Sequence, residues 1–65
     1  MEVLETTEIE MIKISIEEFS RLQDYMSVCD KDSEAYRKMK RRYTELKVIL
    51  TASGINLTEI DYLKE

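Results

Sequence analysis

The sequence predicts a mainly α-helical fold: a short N-terminal strand or extended segment, a helical hairpin, then a short C-terminal helix, in a chain that dimerises. Three observations carry this reading. Apolar residues recur at spacings of three and four over residues 19–29 and again over residues 36–53, the period of helices with one buried face. The wholly polar run Asp30-Lys31-Asp32-Ser33 separates the two stripes and offsets their registers by three residues. A β-branched stretch precedes the first stripe, and Gly54 follows the second.

Residues 1–7 show no periodicity and are expected to fray, which leaves residues 8–65 as a single small helical domain. From Glu8 to Ile14 the isoleucines, and the alternation Ile12, Lys13, Ile14, suggest a strand of typical length. The alternative is an irregular extension that packs its isoleucines on the helices. Ser15-Ile16-Glu17-Glu18 has the spacing of a capping box, with Ile14 and Phe19 placed as a hydrophobic staple, so a helix is expected to start at Ile16. It carries Phe19, Leu22, Met26 and Cys29 as one apolar stripe, widened by Tyr25. Cys29 and Met26 read as core filler rather than as reactive thiol or ligand.

The second stripe is Tyr36, Met39, Tyr43, Leu46, Leu50 and Ser53. The register offset favours a turn at 30–33, though no Gly or Pro enforces it and one continuous helix stays open. Asp32 or Ser33 would cap the second helix, and Glu34 to Lys38 forms a favourable i,i+4 pair. A helix over 33–53 would be about 31 Å long, two turns longer than the first. Its surplus apolar surface calls for a partner chain or for the C-terminal segment folding back. Gly54 ends it in the usual manner. Asn56 with Glu59, and Ile55 with Ile60, repeat the cap and staple spacing, which predicts a third helix carrying Leu57, Ile60 and Leu63.

Composition narrows the chemistry. A chain of 65 residues with one cysteine and no histidine has no internal disulfide, no structural zinc site and no ordinary general base near neutral pH. A single glycine excludes a glycine-rich phosphate loop. No enzyme activity, cofactor or metal is therefore expected. A chain this small buries a limited share of its surface, so a partner is expected to complete it. No apolar run approaches the roughly 20 residues of a membrane span, the acidic start does not suit a secretory signal, and a lone free thiol fits the cytoplasm.

The net charge of −4 is unevenly placed: residues 1–18 sum to −5 and residues 36–47 to +5. The basic run is either a solvated helix face or a binding patch. The patch reading makes Lys13, Arg37, Lys38, Arg41 and Arg42 candidate partner contacts. A third possibility sets the acidic start of one chain against the basic helix of another. Ile12, Ile14, Tyr43, Leu46, Ile49 and Leu50 are the candidate oligomer interface, because an isolated strand must find its ladder in another molecule and two-fold homodimers are the commonest assemblies.

The order of strand, helix, turn and helix resembles the ribbon-helix-helix family of bacterial and phage repressors. Met11-Ile12-Lys13-Ile14-Ser15-Ile16-Glu17-Glu18-Phe19 is similar to that family's strand entering its first helix, and Ser33-Glu34-Ala35-Tyr36-Arg37 to the start of its second. The resemblance implies a dimer whose paired strands lie in the DNA major groove. Of the outward strand positions Ile9, Met11 and Lys13, only Lys13 suits a base or phosphate, and Asp30, Asp32 and Glu34 would oppose phosphate at the turn. The leading expectation is accordingly a small cytoplasmic protein–protein interaction module, an adaptor, regulator or inhibitor that binds itself or another protein. A DNA-binding regulator is the alternative.

Overall fold

A computed structural model describes the backbone of residues 2–65 and the side chains of residues 8–65. The expectation of a frayed start falls on residues 1–7, of which Met1 and the side chains of residues 2–7 lie outside the described residues. Two helices, α1 (Glu2–Ser27) and α2 (Glu34–Ala52), form an antiparallel hairpin, and residues 53–65 fold back along it. The described residues contain no strand.

The expected strand at 8–14 is therefore replaced by helix, and Ser15 caps nothing. Two physical reasons stand behind this. A lone strand leaves both edges of its backbone unpaired, whereas a helix satisfies its own. Ile12, Ile16, Phe19, Gln23 and Met26 also follow one another at spacings of four, three, four and three, so the face that packs on α2 continues upstream of Ser15. With 26 residues against 19, α1 is about 39 Å long and α2 about 28 Å. The first helix, not the second, overshoots its neighbour by about two turns.

The turn at 28–33 is built by Asp30. Its carboxylate accepts the Asp32 N–H at 2.9 Å, and its carbonyl accepts the Ser33 N–H at 3.0 Å and the Ser33 hydroxyl at 2.6 Å. Ser33, in extended conformation, caps α2 by accepting the Tyr36 N–H at 3.1 Å. The separate hairpin helices and the Glu34–Lys38 pair (3.7 Å) stand as the sequence predicts. At its other end α2 closes in a Schellman motif. Gly54, at φ +84°, lets its own N–H reach the Thr51 carbonyl and the Ile55 N–H reach that of Leu50.

Beyond Gly54 the expected third helix is absent, and the chain makes one turn. Asn56 accepts the Thr58 N–H, and the Leu57 carbonyl accepts those of Ile60 and Asp61. The helix stops there because side chains take its next donors. Gln23 accepts the N–H groups of Tyr62 and Leu63, Asp61 that of Lys64, and the Tyr43 hydroxyl that of Glu65. Phe19, Met26, Tyr36, Tyr43, Leu46 and Leu50 form the core, with Phe19 and Tyr43 stacked at 5.2 Å. Ile55, Leu57, Ile60 and Leu63 pack on it from the tail, and Cys29 packs on it as a half-buried free thiol. The surplus apolar stripe of α2 is thus met by the C-terminal segment, one of the two solutions the sequence left open.

Two serine substitutions separate this helix from the capped one read in the sequence. Ser15→Ala should be neutral or slightly stabilising, because alanine is the better interior helix residue by a few tenths of a kcal/mol. Ser33→Ala should cost about 1 kcal/mol through the lost cap. Urea unfolding monitored by helical circular dichroism measures both.

Candidate interaction face

The hairpin has a covered side and a bare side, and named contacts distinguish them. On the covered side Gln23, wholly buried, donates to the Ile60 carbonyl at 2.8 Å and accepts from Tyr62 and Leu63 at 2.9 and 3.0 Å. The Tyr62 hydroxyl reaches the Ser20 carbonyl and the Asp24 carboxylate. From α2, the Tyr43 hydroxyl donates to Asp61, and Lys47 sits 3.6 Å from the same carboxylate and 4.9 Å above the Tyr43 ring. Lys47 also donates to the Glu65 main-chain oxygen at 3.1 Å. Lys64, at φ +54°, adopts the left-handed region that costs a non-glycine residue about 1 kcal/mol. The bonds its N–H and that of Glu65 make to Asp61 and Tyr43 hold it there. Among the described residues no buried side-chain nitrogen or oxygen lacks a partner.

These contacts set the ionisation of the tail. Burial disfavours the Asp61 charge, yet hydrogen bonds from Tyr43 and Lys64 and the Lys47 ammonium outweigh it and hold the carboxyl below its ordinary value. Burial first, then the Asp61 hydrogen bond, pushes Tyr43 up to about 12.

The bare side is marked by Arg42, which holds Glu18 in a two-point grip at 2.8 and 3.0 Å and reaches Glu45 at 3.4 Å. The grip lowers the Glu18 pKa, its hydrogen bond being the main cause. Toward the open end lies a shallow, mostly apolar groove of about 320 Å³, walled by Glu8, Met11, Ile12 and Ser15 from α1 and by Ile49, Leu50 and Ser53 from α2. A second groove, along α2, shares Ile49 and adds Val48, Thr44, Arg42 and Glu45. Large apolar side chains stand in water on the walls of these grooves: Met11 is 63% exposed, Val48 65% and Ile49 44%, while Ile14, 60% exposed, lines neither.

The sequence-derived candidates fall into three groups. Ile12, Ile14 and Ile49 are available to a partner, Ile12 half-buried in the groove wall. Tyr43, Leu46 and Leu50 are not, since all three are fully buried against α1 and the tail and offer no surface to a second chain. The basic candidates do not make a common patch. Arg37 donates to the Asp32 carbonyl, Lys38 pairs with Glu34, Arg41 with Glu45, and Arg42 with Glu18 and Glu45. Each exposed pair is worth little in stability, but together they offset the positive field that the sequence suggested. Lys13 stands exposed on α1. Sequence reasoning passed over Gln23, Asp61 and Glu65. The available signal was Gln23 itself, a polar residue on the apolar stripe midway between Phe19 and Met26.

No helix among the described residues is long and apolar enough to cross a membrane. The clasp predicts a pH profile for stability. Asp61 favours its ionised form in the fold, so its contribution is complete above the unfolded value of about 3.9 and is lost as pH falls through the lower folded value. Tyr43 favours its neutral form, so its contribution is complete below about pH 10 and is lost as pH rises toward about 12. Urea midpoints should be level between about pH 5 and 9 and fall on both sides. The alkaline fall should shrink in Tyr43→Phe without vanishing, because the pKa values of Tyr36 and Tyr62 are also raised. Comparison with protein-family models, with curated proteins and with solved structures finds no match to this chain.

Proposed function

We propose that this chain is a small non-catalytic protein–protein interaction module of the cytoplasm, and that it binds through the bare side of the hairpin. The carrying observation is the groove between the projecting end of α1 and the end of α2, with Met11 and Ile49 exposed on its walls and Val48 exposed in the adjoining groove along α2. Contiguous apolar surface of this kind is costly to leave in water and marks interaction sites on small proteins. The covered side supports the reading, because there the tail already satisfies the polar groups and fills the apolar surface. An adaptor, a regulator and an inhibitor would all use such a face. The DNA-binding alternative draws no support from the fold, since its ribbon needs paired strands and residues 8–14 are helical.

A photo-crosslinking residue tests this in cells. Placed at Ile49, it should give protein adducts, its own copy included. Placed at Thr58, exposed in the tail, it should give none. Equal yields at the two positions would remove the reading.

A further inference from the structure

We infer that the angle between the turn at 28–33 and α2 is a binding site for a phosphoryl group, the dianion of a phosphate monoester, and that the chain's own Glu65 occupies it. The site goes beyond the interaction reading, since it lies on the covered side and shares no residue with the apolar groove. The argument begins with the donors that meet one carboxylate. Glu65 Oε1 accepts the Tyr36 hydroxyl at 3.0 Å and lies 3.7 Å from Lys40 Nζ, and Oε2 lies 3.9 Å from Lys31 Nζ. The Glu65 main-chain oxygen accepts from Lys47 at 3.1 Å, and its N–H donates to the Tyr43 hydroxyl at 3.0 Å.

These groups are placed by two elements. Lys31 comes from the turn, and Tyr36, Lys40, Tyr43 and Lys47 follow at spacings of four, three and four on the tail-facing side of α2. Tyr36 is 5% exposed and Tyr43 is wholly buried. A packed ring aims its hydroxyl at a fixed point, which lysines on flexible stems do not do by themselves.

Glu65 fills this site incompletely. Three donors, from Tyr36, Lys40 and Lys31, converge on two oxygens, and Oε1 serves two of them. Both ammonium groups stand beyond hydrogen-bond distance, and two positive charges face one negative charge. Lys47 is already answered by Asp61 at 3.6 Å. A phosphoryl group carries about −1.5 to −2 charge near neutral pH and three acceptor oxygens. It offers one oxygen to each donor and nearly one charge to each ammonium.

The occupant is also easy to displace. Its lysine pairs are of the exposed kind that stabilise little, and Lys64 delivers it from the left-handed region, which disfavours a non-glycine residue. Gln23 fixes residues 60–63 independently, so Glu65 can leave its place without releasing the tail. A tethered carboxylate of this kind competes with any incoming anion and raises the concentration needed to fill the site.

Inorganic phosphate titrated into the full chain at constant ionic strength, with amide chemical shifts as the readout, tests the site. Saturable shifts centred on Lys31, Tyr36, Lys40 and Glu65 are expected. Glu65→Gln, which keeps the size of the occupant and removes its charge, should tighten binding about threefold, the equivalent of one exposed ion pair. Glu59→Gln, the same change of charge elsewhere in the tail, should not. Lys40→Gln and Tyr36→Phe should each weaken binding with helical circular dichroism unchanged, whereas Lys38→Gln, at a residue paired with Glu34, should leave it as it was. Shifts spread over all the lysines, or equal losses in Lys38→Gln and Lys40→Gln, would mean an adventitious ion only and overturn the inference. Binding no tighter in Glu65→Gln than in the unaltered chain overturns it as well. A phosphoserine tripeptide then separates the two sources of the group. Tighter binding than inorganic phosphate identifies a modified side chain, equal binding identifies a small phosphate ester, and either result upholds the site.

Discussion

The arrangement of this molecule depends on one buried amide. Gln23 has no exposed surface and uses its carbonyl and its amino group on three backbone groups of residues 60–63. Each such bond is worth about 1 kcal/mol net, but removing the amide would strand backbone donors and an acceptor, at about 1–3 kcal/mol apiece. A hydrophobic residue at this position would have packed equally well between Phe19 and Met26 without saying where the tail belongs. The polar residue gives the tail a register. Once Tyr62 and Leu63 are fixed on Gln23, Asp61 comes under the Tyr43 hydroxyl and Glu65 comes within reach of Lys47.

From that register follows the asymmetry on which the functional reading stands. Two helices alone would show water an apolar strip on either side of their seam. The tail closes one strip with Ile55, Leu57, Ile60 and Leu63 and leaves the other. Charge is organised in the same manner. Acids on α1, α2 and the tail pair with Lys38, Lys40, Arg41, Arg42 and Lys47 of α2, through Glu34, Glu65, Glu45, Glu18 and Asp61, while Arg37 donates to the Asp32 carbonyl. What remains for a partner is apolar groove and exposed aliphatic side chains, a surface suited to a packed helix rather than to a phosphate backbone.

The sequence made the hairpin legible because its signals there were local and redundant: two stripes of helical period, a register break, an Asp and Ser turn, and Gly54 in a left-handed position. It misled at 8–14 because isoleucines favour strands only where a pleated neighbour exists. Here the segment continues α1, and Ile12 stands half-buried on the groove wall between α1 and α2. The Ser15 box failed for the same reason, since a cap spacing inside a longer stripe is simply three helical residues. The third helix failed because its donors were claimed by Gln23, Asp61 and Tyr43 from 3 to 40 residues away along the chain. Ile14 and Ile49, beside the stripes, are exposed. Tyr43, Leu46 and Leu50, on the stripe, are buried within the chain, because periodicity marks a buried face without saying whether the same chain or another covers it.

Amide hydrogen exchange at Tyr62 and Leu63 tests the central claim most directly. Both N–H groups end on the Gln23 carbonyl, so their exchange should be slowed toward the rate set by global unfolding, and Gln23→Ala should release them while the helical amides of 36–50 stay protected. Exchange at the rate of an unstructured peptide in the unaltered chain would contradict the account, for the tail would not be clasped and neither side of the hairpin would be covered.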